Sequence, residues 1–174
     1  MMFLIVGRTG VGKDTYSKRF IEQDQKKLVS YTTRPKRKDD KDDTHVFIKK
    51  EEVDNYKKNM IAYSEINGNI YFTLKDDYEK ADFMIIDPNG IKNIVKSLSK
   101  EETENLRILY LWAKRSVRKE RTKDRTNYNF EKRDQSETKQ FDEFEKVIEN
   151  NKYYHGIKVV LIIFTDKSTK IERN

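Results

Sequence analysis

Met2-Phe3-Leu4-Ile5-Val6 runs directly into Gly7-Arg8-Thr9-Gly10-Val11-Gly12-Lys13-Asp14-Thr15. Five apolar residues without alternation read as a strand covered on both faces, as in a parallel sheet. Behind the glycines, Tyr16, Phe20 and Ile21 recur at helical spacing and predict a helix over 13–24. A strand, a glycine-rich turn closing on a lysine, and a helix form the context that a phosphate-binding P-loop needs. Glycines let successive N–H groups turn inward toward an anion, and the helix N-terminus adds partial positive charge. Lys13 then reaches the outer phosphates of a nucleoside triphosphate. The alternative is a bare strand-to-helix turn, which needs neither the lysine nor this spacing. Only six glycines occur in the chain, and three of them lie in this loop. One position departs from the pattern: Asp14 stands where a Ser or Thr usually ligates Mg²⁺. Either its carboxylate contacts the metal, or it only favours the first helical turn.

Working outward, 174 residues suffice for one domain. Charged residues make up 39% and hydrophobic ones 35%, more polar than an average globular chain but with enough aromatics for a core. There is no cysteine, which excludes disulfides and thiolate zinc sites. The longest apolar runs, 1–6 and 159–164, are too short to span a bilayer. A cytoplasmic location is therefore expected. Further strands are expected at 28–31, 83–86, 108–112 and 159–164, and helices at 89–98 and 137–150. The alternation predicts an α/β fold with a mainly five-stranded parallel sheet in a three-layer P-loop core. Residues 31–81 break the rhythm. Short strands at 45–48, 61–66 and 70–73, with a helix at 51–58, predict a small antiparallel insertion. Residues 118–136 are almost all polar and predict a helix end followed by a mobile loop.

The second informative segment is Ser30-Tyr31-Thr32-Thr33-Arg34-Pro35-Lys36-Arg37. Two arginines three apart, after a run of hydroxyls, read either as a second anion clamp, since guanidinium forks match phosphate geometry, or as a solvated basic loop. Four segments in order now resemble the guanylate kinases, small P-loop enzymes that phosphorylate GMP with ATP. They are the glycine loop, Ser30 to Arg37, Gly68-Asn69-Ile70-Tyr71-Phe72-Thr73, and the strand Phe83 to Asp87 with Gly90 beyond it. Arg121 and Arg125, four apart, resemble the arginines of the family's mobile lid.

The resemblance implies a single domain over 1–174, with a core of about 1–30, 82–117 and 137–174. A nucleoside-monophosphate-binding insertion would span about 31–81 and a lid about 118–136. Gly7, Arg8, Thr9, Gly10, Val11, Gly12, Lys13, Asp14 and Thr15 would bind ATP. Ser30, Arg34, Arg37 and Tyr71 match residues that hold the acceptor's phosphate, and His45 stands where the family has a second phosphate-contacting tyrosine. Thr73 and Asp87 match two of its base contacts. The glutamate that reads guanine in the family falls on Ala62 here, and Glu65 nearby would face another way if the register holds. Lys13, Arg121, Arg125 and Arg133 would carry the catalytic cations. Mg²⁺ would sit against Asp14 and Asp87. Asp166 falls near the family's adenine-side segment.

The formal net charge is +7. Residues 107–133 hold ten basic and three acidic residues, so the remaining 147 sum to zero. The chain is a neutral body with one cationic segment. The expected partners are small nucleotides, with neither nucleic acid nor membrane. The expected function is ATP-dependent phosphoryl transfer to a nucleoside monophosphate, GMP or dGMP foremost. The alternatives are a kinase of different base specificity, a non-catalytic binding module of the same fold, and a basic nucleic-acid-binding protein.

Overall fold

The computed structural model describes residues 1–38, 40, 45–66, 68–125 and 128–165. The glycine loop lies between strand β1 (Met2–Val6) and helix α1 (Lys13–Ile21). Short strands β2 (Lys27–Leu28), β3 (Tyr31–Thr32) and β4 (Val46–Phe47) follow. A 3₁₀ helix (Lys50–Asn59) leads to the hairpin β5 (Met60–Ile66) and β6 (Asn69–Leu74). Next come α2 (Lys75–Tyr78), β7 (Phe83–Ile85), α3 (Pro88–Ser97), α4 (Lys100–Glu104) and β8 (Leu106–Trp112). Helix α5 (Arg115–Glu120), the long α6 (Phe130–Asn151), β9 (Tyr153–Tyr154) and β10 (Ile157–Phe164) complete the described chain.

The main sheet has the order β2-β7-β1-β8-β10-β9. Five strands are parallel, and the two-residue β9 adds a sixth, antiparallel to β10, where the sequence predicts five. Strand β1 is central, with Leu4 registered against Met84 on one side and Ile108 on the other. Its alternation divides the core in two. Met2, Leu4 and Val6 join Ile91 and Ile94 of α3 and Phe141, Phe144 and Ile148 of α6. Ile5 faces the other way, with Phe3, Tyr16 and Phe20 of the α1 side and Val117 of α5. Helices therefore cover both faces, and each fully buried Leu or Ile contributes roughly 1.5–3 kcal/mol. Phe20 locks α1 down, its ring 4.9 Å from Phe83 and 5.7 Å from Phe3.

Three expectations change. The single strand at 28–31 is two strands in two sheets: Lys27–Leu28 edges the main sheet on β7, and Tyr31–Thr32 enters the second. The second sheet, β4-β3-β6-β5, is not wholly antiparallel, because β3 and β4 run parallel. The link between them, residues 33–45, has the length that a parallel crossover requires. Residues 130–136, expected in a loop, are the first turns of α6. Asn129 starts this helix by accepting the Lys132 N–H at 2.9 Å. Phe130 is buried beneath the guanidinium groups of Arg115 and Arg118, 5.3 and 5.6 Å from its ring. No described helix is long and apolar enough to cross a membrane.

Candidate functional site

A cavity of about 430 Å³ is lined from both sheets and from the segment between α5 and α6. Its floor is the glycine loop. Gly10 has φ 75°, and a Cβ there would stand 2.5 Å from the Arg118 carbonyl oxygen, so no other residue fits. Gly12 has φ 101° and begins α1. Lys13 turns back across its own loop and donates to the carbonyls of Gly7 at 2.6 Å and Arg8 at 3.2 Å. Burial pulls its ammonium pKa below the usual value, against the opposing charges of Glu137 and Asp14.

Thr9, the third residue of the loop, is held at every polar group by α5, α6 and the segment between them. Its N–H donates to Glu137 Oε2 at 2.8 Å, and its hydroxyl meets the Tyr128 hydroxyl at 2.5 Å. Its carbonyl accepts from Arg118 Nη1 at 3.3 Å. Arg118 is buried and pairs with Asp134 at 2.6 Å, so it braces the loop from behind. Arg133 and Arg125 line the cavity. Arg133 pairs through Nε with Glu137 Oε1 at 2.5 Å, and Arg125 stands 5.4 Å over the Tyr128 ring.

Opposite the loop stands the arginine clamp. Ser30, Arg34, Arg37, His45 and Tyr71 all line the same cavity. Arg34 grips Asp40 with both prongs, at 2.8 and 3.1 Å, and Asp40 also accepts the Arg37 N–H at 2.7 Å. Burial works against the Arg34 charge, but Asp40 holds its pKa above the ordinary value. The Asp40 carboxyl is held below its own ordinary value by Arg34 and the Arg37 N–H, in spite of burial. The His45 ring lies 5.7 Å from Tyr71 and 6.0 Å from Phe47. Burial first, and then the charge of Arg34, push its pKa down to about 4.

The third wall comes from β5, β6 and the end of β7. A bulge in β5 between Ile61 and Ser64 puts Ala62 at φ 50°, in the left-handed region. Ala62, Ser64 and Ile66 line the cavity with Thr73, Met84 and Ile86. Glu65 is exposed and is not part of this lining, as the period of two requires of the residue between Ser64 and Ile66. Asp87 lines the cavity too, but its Oδ1 caps α3 by accepting the Gly90 N–H at 2.8 Å. Burial raises its carboxyl pKa, opposed by the Gly90 N–H and Arg133.

A family model described as guanylate kinase matches residues 1–165. The chain belongs to the guanylate kinase family. Guanylate kinases are nucleoside monophosphate kinases, and this chain is an enzyme of that class. The fold agrees. The crystal structure of guanylate kinase from Anaplasma phagocytophilum superposes with a TM-score of 0.62 at 16% identity, covering 94% of this chain and 76% of that one. No curated protein matches this sequence.

For a guanylate kinase chain, the fold brings together most of the residues that the sequence singles out. Gly7, Thr9, Lys13, Asp14, Ser30, Arg34, Arg37, His45, Tyr71, Thr73, Asp87, Arg125 and Arg133 share one cavity. Arg8, Gly10, Val11, Gly12, Thr15 and Arg121 are not among its lining. Arg8 turns away, to Asp142 at 2.6 Å and Glu145 at 3.2 Å. Arg121 lies on the outside of the loop, donating to the Val11 carbonyl at 3.0 Å and to Thr165. Arg121 and Arg125, four apart in sequence, both lie past the end of α5 at Glu120 and so do not share a helix face. Asp166 lies outside the described residues.

Among the described residues, no cluster of three or more His, Asp or Glu side chains could cage a metal by itself. Kinases hold Mg²⁺ through one or two carboxylates plus substrate phosphates, and the carboxyls of Asp14 and Asp87 both line this cavity. Asp14 is exposed and follows the loop lysine directly in the chain. The sequence reading misses Asp40, Tyr128, Asp134 and Glu137. The one signal for Glu137 is its place four residues after Arg133, the spacing of a helical ion pair.

Proposed function

We propose that this chain transfers the terminal phosphoryl group of ATP to a nucleoside monophosphate, with GMP or dGMP as the preferred acceptor. The observation that carries the reading is the shared cavity: a glycine loop with its lysine and a two-arginine clamp open into the same space. The donor's phosphates lie along the loop, and the acceptor's phosphate lies on Arg34, Arg37 and Tyr71. The two phosphates therefore face each other, and holding them in line is most of what phosphoryl transfer asks of a protein.

The acceptor phosphate meets Arg34 with the fork now given to Asp40, and the exchange costs little because one anion replaces another. Lys13, Arg125 and Arg133 offset the charge that spreads over the transferring oxygens, and Tyr128 helps to wall off water. Arg121 joins them only if the segment after α5 turns inward over the bound nucleotides, as a lid. Bound Mg²⁺ would neutralise oxygens of the donor's phosphate chain. Asp14 would hold it, with Asp87 as the second carboxylate of the same cavity. Ser64, Thr73 and the Asp87 carboxyl supply the polar groups for the acceptor's base.

A second reading is favoured by Ala62: with a methyl group in this wall, the acceptor extends to monophosphates of other bases. A coupled assay of ADP formation with each common ribo- and deoxyribonucleoside monophosphate separates the two. Preference for GMP or dGMP supports the first, and comparable rates with several bases support the second. No turnover with any of them overturns both.

A further inference from the structure

Glu137 is the one acid that the phosphate chemistry leaves over. It is only 5% exposed, in a cavity that it shares with the cations Lys13, Arg125 and Arg133 and with the carboxyls of Asp14, which is exposed, and Asp87, which caps α3. A buried carboxylate costs several kcal/mol unless it is held, and this one is held at both oxygens. Oε2 accepts the Thr9 N–H of the glycine loop at 2.8 Å, and Oε1 meets Arg133 Nε at 2.5 Å. Its charge also acts on Lys13, opposing the effect of burial there. A loop N–H, an arginine and a lysine are the donors that a phosphoryl oxygen would seek. An oxyanion of the protein itself already sits among them.

We propose that Glu137 is a resident anion of the phosphate site: it holds the Thr9 N–H and Arg133 in the nucleotide-free enzyme and yields both to the donor's terminal phosphate. The proposal rests on reading the glycine loop as the donor site. Glu137 is then a positioning residue. It keeps Arg133 aimed into the cavity, and it keeps a buried loop amide satisfied until a phosphate arrives. It also lowers donor affinity, because the incoming phosphate must displace a negative charge that the same cations already serve. Displacement releases one of the three ties on Thr9, while Arg118 and Tyr128 keep the loop in place.

The test uses the full chain, with ATP and inorganic tripolyphosphate as separate probes and no acceptor present. Glu137→Gln keeps an oxygen for the Thr9 N–H and removes the charge. Calorimetry is expected to show about tenfold tighter binding of both probes, and the gain is expected to shrink when Arg133→Ala is added. Unchanged or weaker binding by E137Q overturns the proposal, because a merely structural role predicts loss and not gain. Should E137Q fail to fold, the unaltered protein gives the answer: tripolyphosphate is expected to shift both the Thr9 amide and the Glu137 carboxylate resonances. A Glu137 signal that stays put overturns the proposal. Wild-type binding of tripolyphosphate but not ATP defeats the ATP reading and leaves Glu137 testable. Binding of neither defeats both.

Discussion

At the phosphate end of the cavity the cations arrive with anions already attached: Arg34 with Asp40, Arg133 with Glu137, and Arg8 behind them with Asp142 and Glu145. At the base end, β5 contributes Ala62, Ser64 and Ile66, with no charge among them. The contrast follows from what each end must do. A phosphate carries charge that only fixed cations can match, and fixed cations in a half-buried cleft need partners while they wait. A base is flat and nearly neutral, and it is sorted by shape and a few hydrogen bonds. Changes at the first end should therefore be large and independent of the base. Changes at the second should be small and should alter only the ranking of substrates.

The largest effect is expected at Lys13. Its ammonium is buried against the Gly7 and Arg8 carbonyls, at the point where loop and cavity meet. Lys13→Met removes the cation nearest the transferring group. The kcat for ADP formation should fall by about a thousandfold, some 4 kcal/mol, with every acceptor alike. Steady-state assays across several monophosphates check this. A fall confined to one base would erase the distinction between the two ends.

The phosphate end is also where the sequence is most legible, and the reason is locality. Gly7 to Lys13 and Ser30 to Arg37 are each continuous, so their chemistry survives in the one-dimensional order. What stays hidden depends on partners far along the chain. The start of α6 is concealed because Asp134 and Glu137 are buried on Arg118 and Arg133, and hydrophobic periodicity is blind to polar residues buried in pairs. The break between Leu28 and Tyr31 carries no Gly or Pro to announce it. Arg121 is singled out by its resemblance to a lid arginine, and nothing in the chain order announces that its side chain donates to the Val11 carbonyl and to Thr165. The bulge at Ala62 leaves no sign in a strand of ordinary composition, yet it sets which side chains form the base wall.

His45 gives an intermediate effect, and it tests whether the phosphate end is as desolvated as its paired charges suggest. Its imidazole titrates at about 4 in the folded chain, against an ordinary 6.5. Between those values the unfolded chain holds a proton that the folded chain does not, so stability falls as the pH drops through that window. At pH 5 the loss is about 2 kcal/mol relative to neutral pH. Arg34 and Lys27 also disfavour the charged ring, while Asp40 and the Ser30 backbone favour it. His45→Gln should flatten the slope of unfolding free energy between pH 4 and 6.5, measured in urea. An unchanged slope would mean that His45 is wet, and that this side of the cavity resembles open surface more than the base wall does.

The smallest effect is expected at Ala62, and it bears on the base end alone. The residue is 7% exposed and already holds the left-handed backbone of the bulge, so a longer unbranched side chain adds little backbone strain. Ala62→Glu would put a carboxylate on the base wall beside Ser64 and Thr73, where it could accept from the N1–H and amino group of guanine. An adenine has no matching pair of donors on that edge. The ratio of kcat/KM for GMP over AMP should rise about tenfold, near 1.4 kcal/mol, while kcat with GMP stays within a fewfold of wild type. Desolvation of the new carboxylate works against the gain, which is why the expected shift is no larger. Ala62→Gln, uncharged but of the same length, should give part of it. If neither substitution moves the ratio while Lys13→Met still abolishes turnover, the acceptor's base lies elsewhere than on β5. The uncharged wall would then be a consequence of packing against α3.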